Sequence, residues 1–497
     1  MKIKKKTVFE VDPYIAPEIN NFIDNINSHS ILKIFKDDSP LHIVFPEVLS
    51  KNIDNIVDNT KIPLSNIFFA LKSTTSLSLI RKAADKGINA EVSTLNELQL
   101  AKEIGFNEII AGGPKSLNYL KKAVDFNVIV SVDSLFELEE LSKINKPIRL
   151  LLRISNPKSV GKNFTERVSR FGISRDELNS ALETIKKNKS LNLVGFHSHH
   201  AGFDAEAKKG FSKYFLDLIE EIRLKNYAKP YIINLGGGFR SSLLKDGKQW
   251  LSFIKYIEES LTSGIEFKVW GNYSYGINLG NNNKIQGRKK AESYGIKANV
   301  IDEFNTILST SFIDSLTLND VMYETGIRVI FEPGFLISTT SGMSVFEIIG
   351  VKKSSCGANL VVVNGHMFNI SSNTIEHLTD PLLLQYDINS KKYISEKVKN
   401  TLSLDKNYFE GYIVGSLCRE DDFLMKRKIK FSNIPKKGDK LVFFNTGSYS
   451  MSYESSNPQR FSSPRYYSAQ TNSSNKKMAK NYDEKKSKNK WMIESDC

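Results

Sequence analysis

NIFFALKSTTSLSLIRKAADKGINAEV, residues 66–92, sets two short apolar runs, NIFFAL and INAEV, on either side of a stretch with apolar residues at helical spacing that ends at Gly87. A strand, a helix and a second strand of that length read as a crossover unit with parallel strands. The unit recurs downstream. TLNELQLAKEIG (94–105) repeats the helical spacing. Further apolar runs follow as EIIAG (108–112), VIVSVD (128–133), IRLLLRI (148–154), LVGFHSH (193–199), YIINLGGG (231–238) and RVIFEPG (328–334). Eight runs alternating with helical segments point to a closed (β/α)8 barrel of the α/β class over residues 46–340 rather than to an open sheet.

Two regions break the rhythm. WGNYSYGINLGNNNKIQGRKK (270–290) is rich in Gly and Asn and reads as an insertion, within residues 270–300, ahead of the last barrel strand. Beyond residue 340 the runs MSVFEIIGVKK, NLVVVNGHMF, YFEGYIVGSLC, KIKFSNI and KLVFFNTG are strand-like. They predict a mostly-β domain over 341–465, which the N-terminal residues 1–45 are expected to complete. Residues 466–497 are polar, rich in Lys, Ser and Asn, and without periodicity, so a disordered basic tail is expected there.

Composition excludes several classes. The 497 residues, 40% hydrophobic and 25% charged, are enough for a large core and too many for one ordinary domain. No stretch approaches the ~20 uninterrupted apolar residues of a membrane span. The N-terminal MKIKKKTVFEVDPYI is basic but lacks the apolar run of a secretory signal. Cys356, Cys418 and Cys497 cannot build a disulfide framework and suit a reducing cytoplasm. The formal net charge of +14 raises a nucleic-acid reading, but the excess is spread over dispersed lysines and the tail, as on a solvated surface. Neither a nucleic-acid nor a membrane partner is expected.

Barrels of this kind place their chemistry at the C-terminal ends of the strands, and the unusual residues fall there. Lys72 follows NIFFA and would aim its amine into the barrel mouth, although alone it reads equally as a surface lysine. His197, His199 and His200 end another strand. Without Cys or acidic partners at metal-ligand spacing no metal is expected; a flat imidazole there either stacks on an aromatic cofactor or packs a strand end. Gly236, Gly237 and Gly238 leave backbone N–H groups free to wrap a phosphate, or make only a tight turn. Glu332, in Glu332-Pro333-Gly334, either holds a protonated ring nitrogen or is incidental to a Pro-Gly turn. Cys418, in GSLCREDDFL, and Tyr449, in NTGSYSM, read as packing or as functional groups of the β domain.

In order, FFALKST, EVSTLNEL, LLLRISNP, SRFGIS, GFHSHHAG, NLGGGF, FEPGF, GSLCREDD and GDKLVFFNTGSYSM resemble the fold-type III pyridoxal-phosphate decarboxylases. That group comprises diaminopimelate, ornithine and arginine decarboxylases and shares its barrel with alanine racemase. The resemblance, from about residue 40 to 465, implies pyridoxal 5'-phosphate as cofactor and decarboxylation of an amino acid or amino-acid-like substrate. It also implies a homodimer with shared active sites. By the same resemblance Lys72 is the Schiff-base lysine, His199 stacks on the ring, Arg153 lines the pocket, and Glu332 pairs with the ring nitrogen. Gly236 to Gly238 and Gly334 would form the phosphate-binding backbone, with Tyr449 near the phosphate, and Cys418 would be a catalytic cysteine reaching into the partner's site.

Three departures stand out. Phe335 occupies the place of the family's Arg after Glu-Pro-Gly, and Gly202 that of a common Ser. Arg419 replaces the acidic residue that follows the cysteine and reads the substrate's distal amine. Arg prefers a carboxylate or phosphate to an ammonium, so Phe335 and Arg419 mark an altered substrate side, and lysine, ornithine and diaminopimelate are not the expected substrates. Two alternatives stay open: an amino-acid racemase with Tyr449 as its second base, and a cofactor-binding homologue without catalysis.

Overall fold

The computed structural model describes residues 9–36, 40–155, 169–200, 204–263, 269–295, 300–311, 316–370, 377–395, 408–453, 458–471 and 491–496. Strand β1 (Leu41–Val44) belongs to the second sheet. The barrel follows with β2 (Phe68–Ala70), β3 (Asn89–Val92), β4 (Ile109–Ala111), β5 (Ile129–Val132), β6 (Ile148–Arg153), β7 (Leu191–His197) and β8 (Ile232–Asn234). The two-residue strands β9 (Asn278–Leu279) and β10 (Ile285–Gln286) form a hairpin, and β11 (Arg328–Ile330) completes the barrel. All eight barrel strands pair in parallel in chain order. Phe68 N–H donates to Phe331 C=O at 2.8 Å and Phe331 N–H to Asn66 C=O at 3.0 Å, which closes the ring. The (β/α)8 barrel expected from the eight apolar runs is therefore present.

Side chains alternate across each strand. Phe68, Ile110, Ile129, Leu151, Val194, Ile232 and Ile330, one from each of seven strands, fill the barrel interior. Phe69, Ala90, Val130, Leu150, Leu152 and Val329 point outward against the helices. The return helices start cleanly because Ser76, Thr94, Ser116 and Ser134 each accept a hydrogen bond from the backbone N–H three residues on.

The second sheet contains β1, β12 (Gly342–Lys353), β13 (Asn359–Val363), β14 (Leu382–Asp387), β15 (Lys392–Ser395), β16 (Phe409–Val414), β17 (Phe423–Phe431), β18 (Lys440–Phe444), β19 (Arg465–Thr471) and β20 (Trp491–Ser495). Its main path runs β15-β14-β18-β12-β1-β19-β20, and β13, β16 and β17 extend it from β12. The N-terminal helices Pro17–Asp24 and His29–Phe35 bury Ile19, Phe22, Ile31 and Phe35 against it.

The last stretch corrects one expectation. Residues 465–471 and 491–495, which fall largely in the segment read as a disordered tail, are strands. β19 lies parallel to β1, with Ser468 opposite Val44, and Trp491 is buried edge-on to Phe22 with ring centroids 5.1 Å apart. These partners lie more than 400 residues away in sequence, so no local periodicity announces them. Residues 472–490 of that segment lie outside the described residues. The insertion packs on the helix Gly247–Ser263 and on β17: Tyr275 and Ile277 join Val11, Trp250 and Phe253 in one cluster, while Trp270 meets Phe423 at 4.7 Å between centroids. Among the described residues no helix is long and apolar enough to cross a membrane.

Candidate active site

The same alternation that buries the apolar layer puts polar side chains one step above it. Glu91, Ser131, Arg153, His197, Asn234 and Glu332 are all buried at the C-terminal ends of their strands, and Arg153, His197 and Asn234 are register partners across β6, β7 and β8. Such a ring of buried polar groups costs stability unless its members satisfy one another. Ser131 Oγ and His197 Nδ1 are 2.7 Å apart, Asn234 Nδ2 donates to Glu332 Oε1 at 2.7 Å, and Arg153 Nη1 donates to Asp133 Oδ1 at 2.9 Å. His197 Nε2 is left without a partner, 3.8 Å from Glu332 Oε1.

Lys72 sits in a short 3-10 turn, Leu71–Ser73, that carries it over the rim of β2. Its Nζ contacts the Glu91 carboxylate and lies 3.4 Å from Ser93 Oγ. Burial disfavours the ammonium, but Glu91, Glu332 and Tyr449 together hold it above the usual lysine value. Glu332 is only 2% exposed. Burial first, then the negative charge of Glu91, pushes its carboxyl up to about 7 against the opposing pull of Lys72, Asn234 and Arg153. Burial above all, with Arg153 next for His197 and Lys208 next for His199, holds both imidazoles well below the usual histidine value, so both are neutral.

The glycine turn faces this group. Gly236 and Gly238 have φ of 65° and 82°, left-handed values that favour glycine. A Cβ on Gly236 would stand 2.7 Å from His199 Nδ1, and one on Gly237 2.7 Å from the Glu332 carbonyl oxygen. Gly237 N–H donates to His199 Nδ1 at 3.0 Å and Gly236 N–H to Asn234 Oδ1 at 2.9 Å, which fixes the plane of the His199 ring. Gly334 packs on Ser73, where an added Cβ would lie 3.0 Å from the serine Cβ. Tyr449 N–H donates to Ser73 C=O at 2.9 Å, and its ring stacks on Phe335 at 6.5 Å between centroids. A cavity of about 400 Å³ beside Lys72 is lined by Leu71, Thr74, Thr75, Ile80, Glu97 and Ser452.

Lys72, Arg153, His199, Gly236 to Gly238, Glu332, Gly334, Phe335 and Tyr449 are thus linked through contacts at one barrel mouth. Cys418 and Arg419 are not part of it within this chain. Both lie exposed on the loop between β16 and β17. Cys418 N–H donates to Gln459, and Arg419 makes a two-pronged pair with Asp421 at 2.8 and 2.7 Å. Gly202 lies outside the described residues. Glu91, Ser131, Asn234 and Lys208 were not singled out from the sequence; the alternation in INAEV and VIVSVD would have placed Glu91 and Ser131 on the interior face. Among the described residues no cluster of His, Cys, Asp or Glu is arranged to hold a metal ion.

The arrangement fits pyridoxal phosphate on its own terms. It offers one amine beside acids, one buried carboxyl in want of a cation, one unpartnered buried imidazole nitrogen, and a turn in which side chains would collide. Residues 52–267 match the family described as "Pyridoxal-dependent decarboxylase, pyridoxal binding domain". A diaminopimelate decarboxylase of Staphylococcus aureus is 25% identical over 406 residues, covering 78% of this chain and 78% of its own. A 2-[(L-alanin-3-ylcarbamoyl)methyl]-2-hydroxybutanedioate decarboxylase, also of Staphylococcus aureus, is 24% identical over 407 residues, covering 78% and 83%. The solved arginine decarboxylase of Paramecium bursaria Chlorella virus, bound to agmatine, superposes with a TM-score of 0.63 at 18% identity, over 90% of this chain and 100% of that one.

Proposed function

We propose that this chain, which belongs to the fold-type III pyridoxal-phosphate-dependent decarboxylases as a divergent member, removes the α-carboxylate of an amino acid or amino-acid-like substrate that lacks the distal ammonium of diaminopimelate or ornithine. The observation that carries this is the meeting of Lys72, Glu332, His199 and the Gly236–Gly238 turn at one barrel mouth. Relatives with quite different substrates match at nearly the same identity, so the substrate class rests on this chain's own residues.

Bound pyridoxal phosphate supplies an electron sink for the carbanion left when the Cα–carboxylate bond breaks. Lys72 would hold it through Nζ, and Glu91, in contact with that nitrogen, is placed to take the proton Nζ must lose. Glu332 would hold the proton of the ring nitrogen; its raised pKa reflects a buried carboxyl that gains from a cation beside it. His199, neutral and pinned at Nδ1 by Gly237 N–H, would lie flat on the ring without competing for protons. Arg153, against the Phe171 ring at 4.6 Å, and Tyr449 would border the pocket. Cys418 Sγ, exposed on the loop between β16 and β17, would return a proton to Cα from across a homodimer interface. The same crossing would bring Arg419 to the substrate's distal end, and Phe335 leaves an apolar wall where a cation would otherwise stand. Free thiols at Cys356 and Cys418 support a reducing, cytoplasmic setting.

The test is carbon dioxide release from purified protein with the cofactor. Amino acids ending in ammonium are compared with those ending in carboxylate, phosphate, a neutral group or a carrier-linked chain. We expect turnover in the second group and a shift towards ammonium substrates in Arg419→Asp. Efficient turnover of ornithine or diaminopimelate, untouched by Arg419→Ala, overturns the substrate assignment. Loss of optical activity without carbon dioxide overturns decarboxylation in favour of racemisation.

A further inference from the structure

A buried lysine with no role in the chemistry above lies directly behind the glycine turn. Lys208, in the first turn of the helix Ala205–Leu224, is 1% exposed. Its Nζ donates to Leu235 C=O at 2.8 Å and to Gly237 C=O at 2.6 Å, and rests over the Phe239 ring at 5.1 Å. Lysine is rarely buried this completely, and a cation in the first turn opposes the helix dipole. A residue that breaks two local rules at a strand end calls for a compensating function.

The peptide plane supplies one. In a trans peptide the C=O and the following N–H point in opposite directions. Gly237 C=O turned onto Lys208 therefore sends Gly238 N–H the other way, to the face of the turn away from Lys208. Gly236 and Gly237 N–H are already engaged by Asn234 and His199, whereas Gly238 is partly exposed. We propose that Lys208 is the positioning residue of the phosphate-binding turn: its ammonium holds the Leu235 and Gly237 carbonyls, aims Gly238 N–H at the cofactor phosphate, and places a buried cation behind that phosphate. This rests on the cofactor reading above.

The experiment separates the phosphate from the rest of the ligand. Cofactor-free protein is titrated with pyridoxal phosphate and, separately, with pyridoxal, followed by absorbance. In Lys208→Met we expect the affinity for pyridoxal phosphate to fall about tenfold or more and that for pyridoxal to stay within about twofold, with Lys208→Gln, which keeps a donor, in between. Equal losses for both ligands, or none for either, overturn the proposal. If the variants do not fold, wild-type protein decides. Burial brings Lys208 down to about 8, against the pull of Glu332, Glu303 and Asp204, the acids facing it from just past β11, from the helix Val300–Leu308 and from its own N-cap. Glu332, at about 7, is largely ionised from about pH 8 upward and His199 stays neutral, so the preference for pyridoxal phosphate over pyridoxal should fall severalfold between about pH 8 and 9.5 as Lys208 loses its charge. A preference flat in pH overturns the proposal. Failure of wild-type protein to bind pyridoxal phosphate at all would instead defeat the cofactor reading.

Discussion

Glu332 shows how a single side chain carries both a stability cost and a function. Its carboxyl titrates near 4.5 in an unfolded chain and at about 7 in the fold. The folded state therefore binds its proton more tightly, so its stabilising contribution is complete below about pH 4.5 and is lost as pH rises through about 7. In cofactor-free protein, wild type should lose on the order of 3 kcal/mol relative to Glu332→Gln between pH 4.5 and 8, measured by denaturant unfolding at several pH values. A pH-independent difference would contradict the burial argument. His197 and His199 titrate with the opposite sign, and comparison at constant histidine content removes them. The acid itself is legible in FEPGF because a strand end followed by Pro-Gly fixes where it must point. Lys208 is not legible, since AEAKKGF reads as an ordinary amphipathic turn with solvated lysines.

Elements position these residues through buried polar ties as much as through apolar packing. Lys115 and Glu137, both with fully enclosed side chains, tie the loop after β4 to the helix Leu135–Ser142 that follows β5, with Nζ 2.9 Å from Oε2. Glu137 also accepts the backbone N–H of Lys115 and of Asp133, the residue that holds Arg153. Glu137→Ala leaves the buried ammonium of Lys115 with only the Gly113 and Ser131 carbonyls and no opposite charge in contact, and should cost about 3–5 kcal/mol of unfolding free energy. Replacing both partners by apolar residues, Lys115→Met with Glu137→Leu, should recover part of it; a double variant no better than the single one would contradict the account. At the far edge, Trp491 packs on Phe22 and Phe45. Trp491→Ala should destabilise by about 3–5 kcal/mol, whereas a tail without structure would show no change. The eight barrel strands are readable because each is an apolar run closed by a polar cap. β19 and β20 are polar in places, and their order comes from pairing with β1 through β19.

At the scale of the whole molecule, the barrel mouth supplies the amine, the acid, the imidazole and the glycine turn, while Cys418 lies exposed on the loop between β16 and β17. If each site needs Lys72 from one subunit and Cys418 from the other, Lys72→Ala and Cys418→Ala should each be nearly inactive alone. Mixed, unfolded and reassembled at equal concentration, they should regain roughly a quarter of wild-type activity, because half the random dimers then hold one intact site. Mixing without recovery would place Cys418 outside the partner's site. The order of motifs along the sequence anticipates the barrel and most of the mouth. It leaves unstated which side of the Cys418 loop meets substrate, and the pairing of Arg419 with Asp421 emerges only in the fold.

The central claim is that Lys72 holds the cofactor. Incubation with pyridoxal phosphate, reduction with borohydride and peptide mass spectrometry test it most directly. The account predicts one phosphopyridoxyl group on the peptide containing Lys72, lost in Lys72→Ala; a stable label on another lysine, or none on wild-type protein, would contradict it.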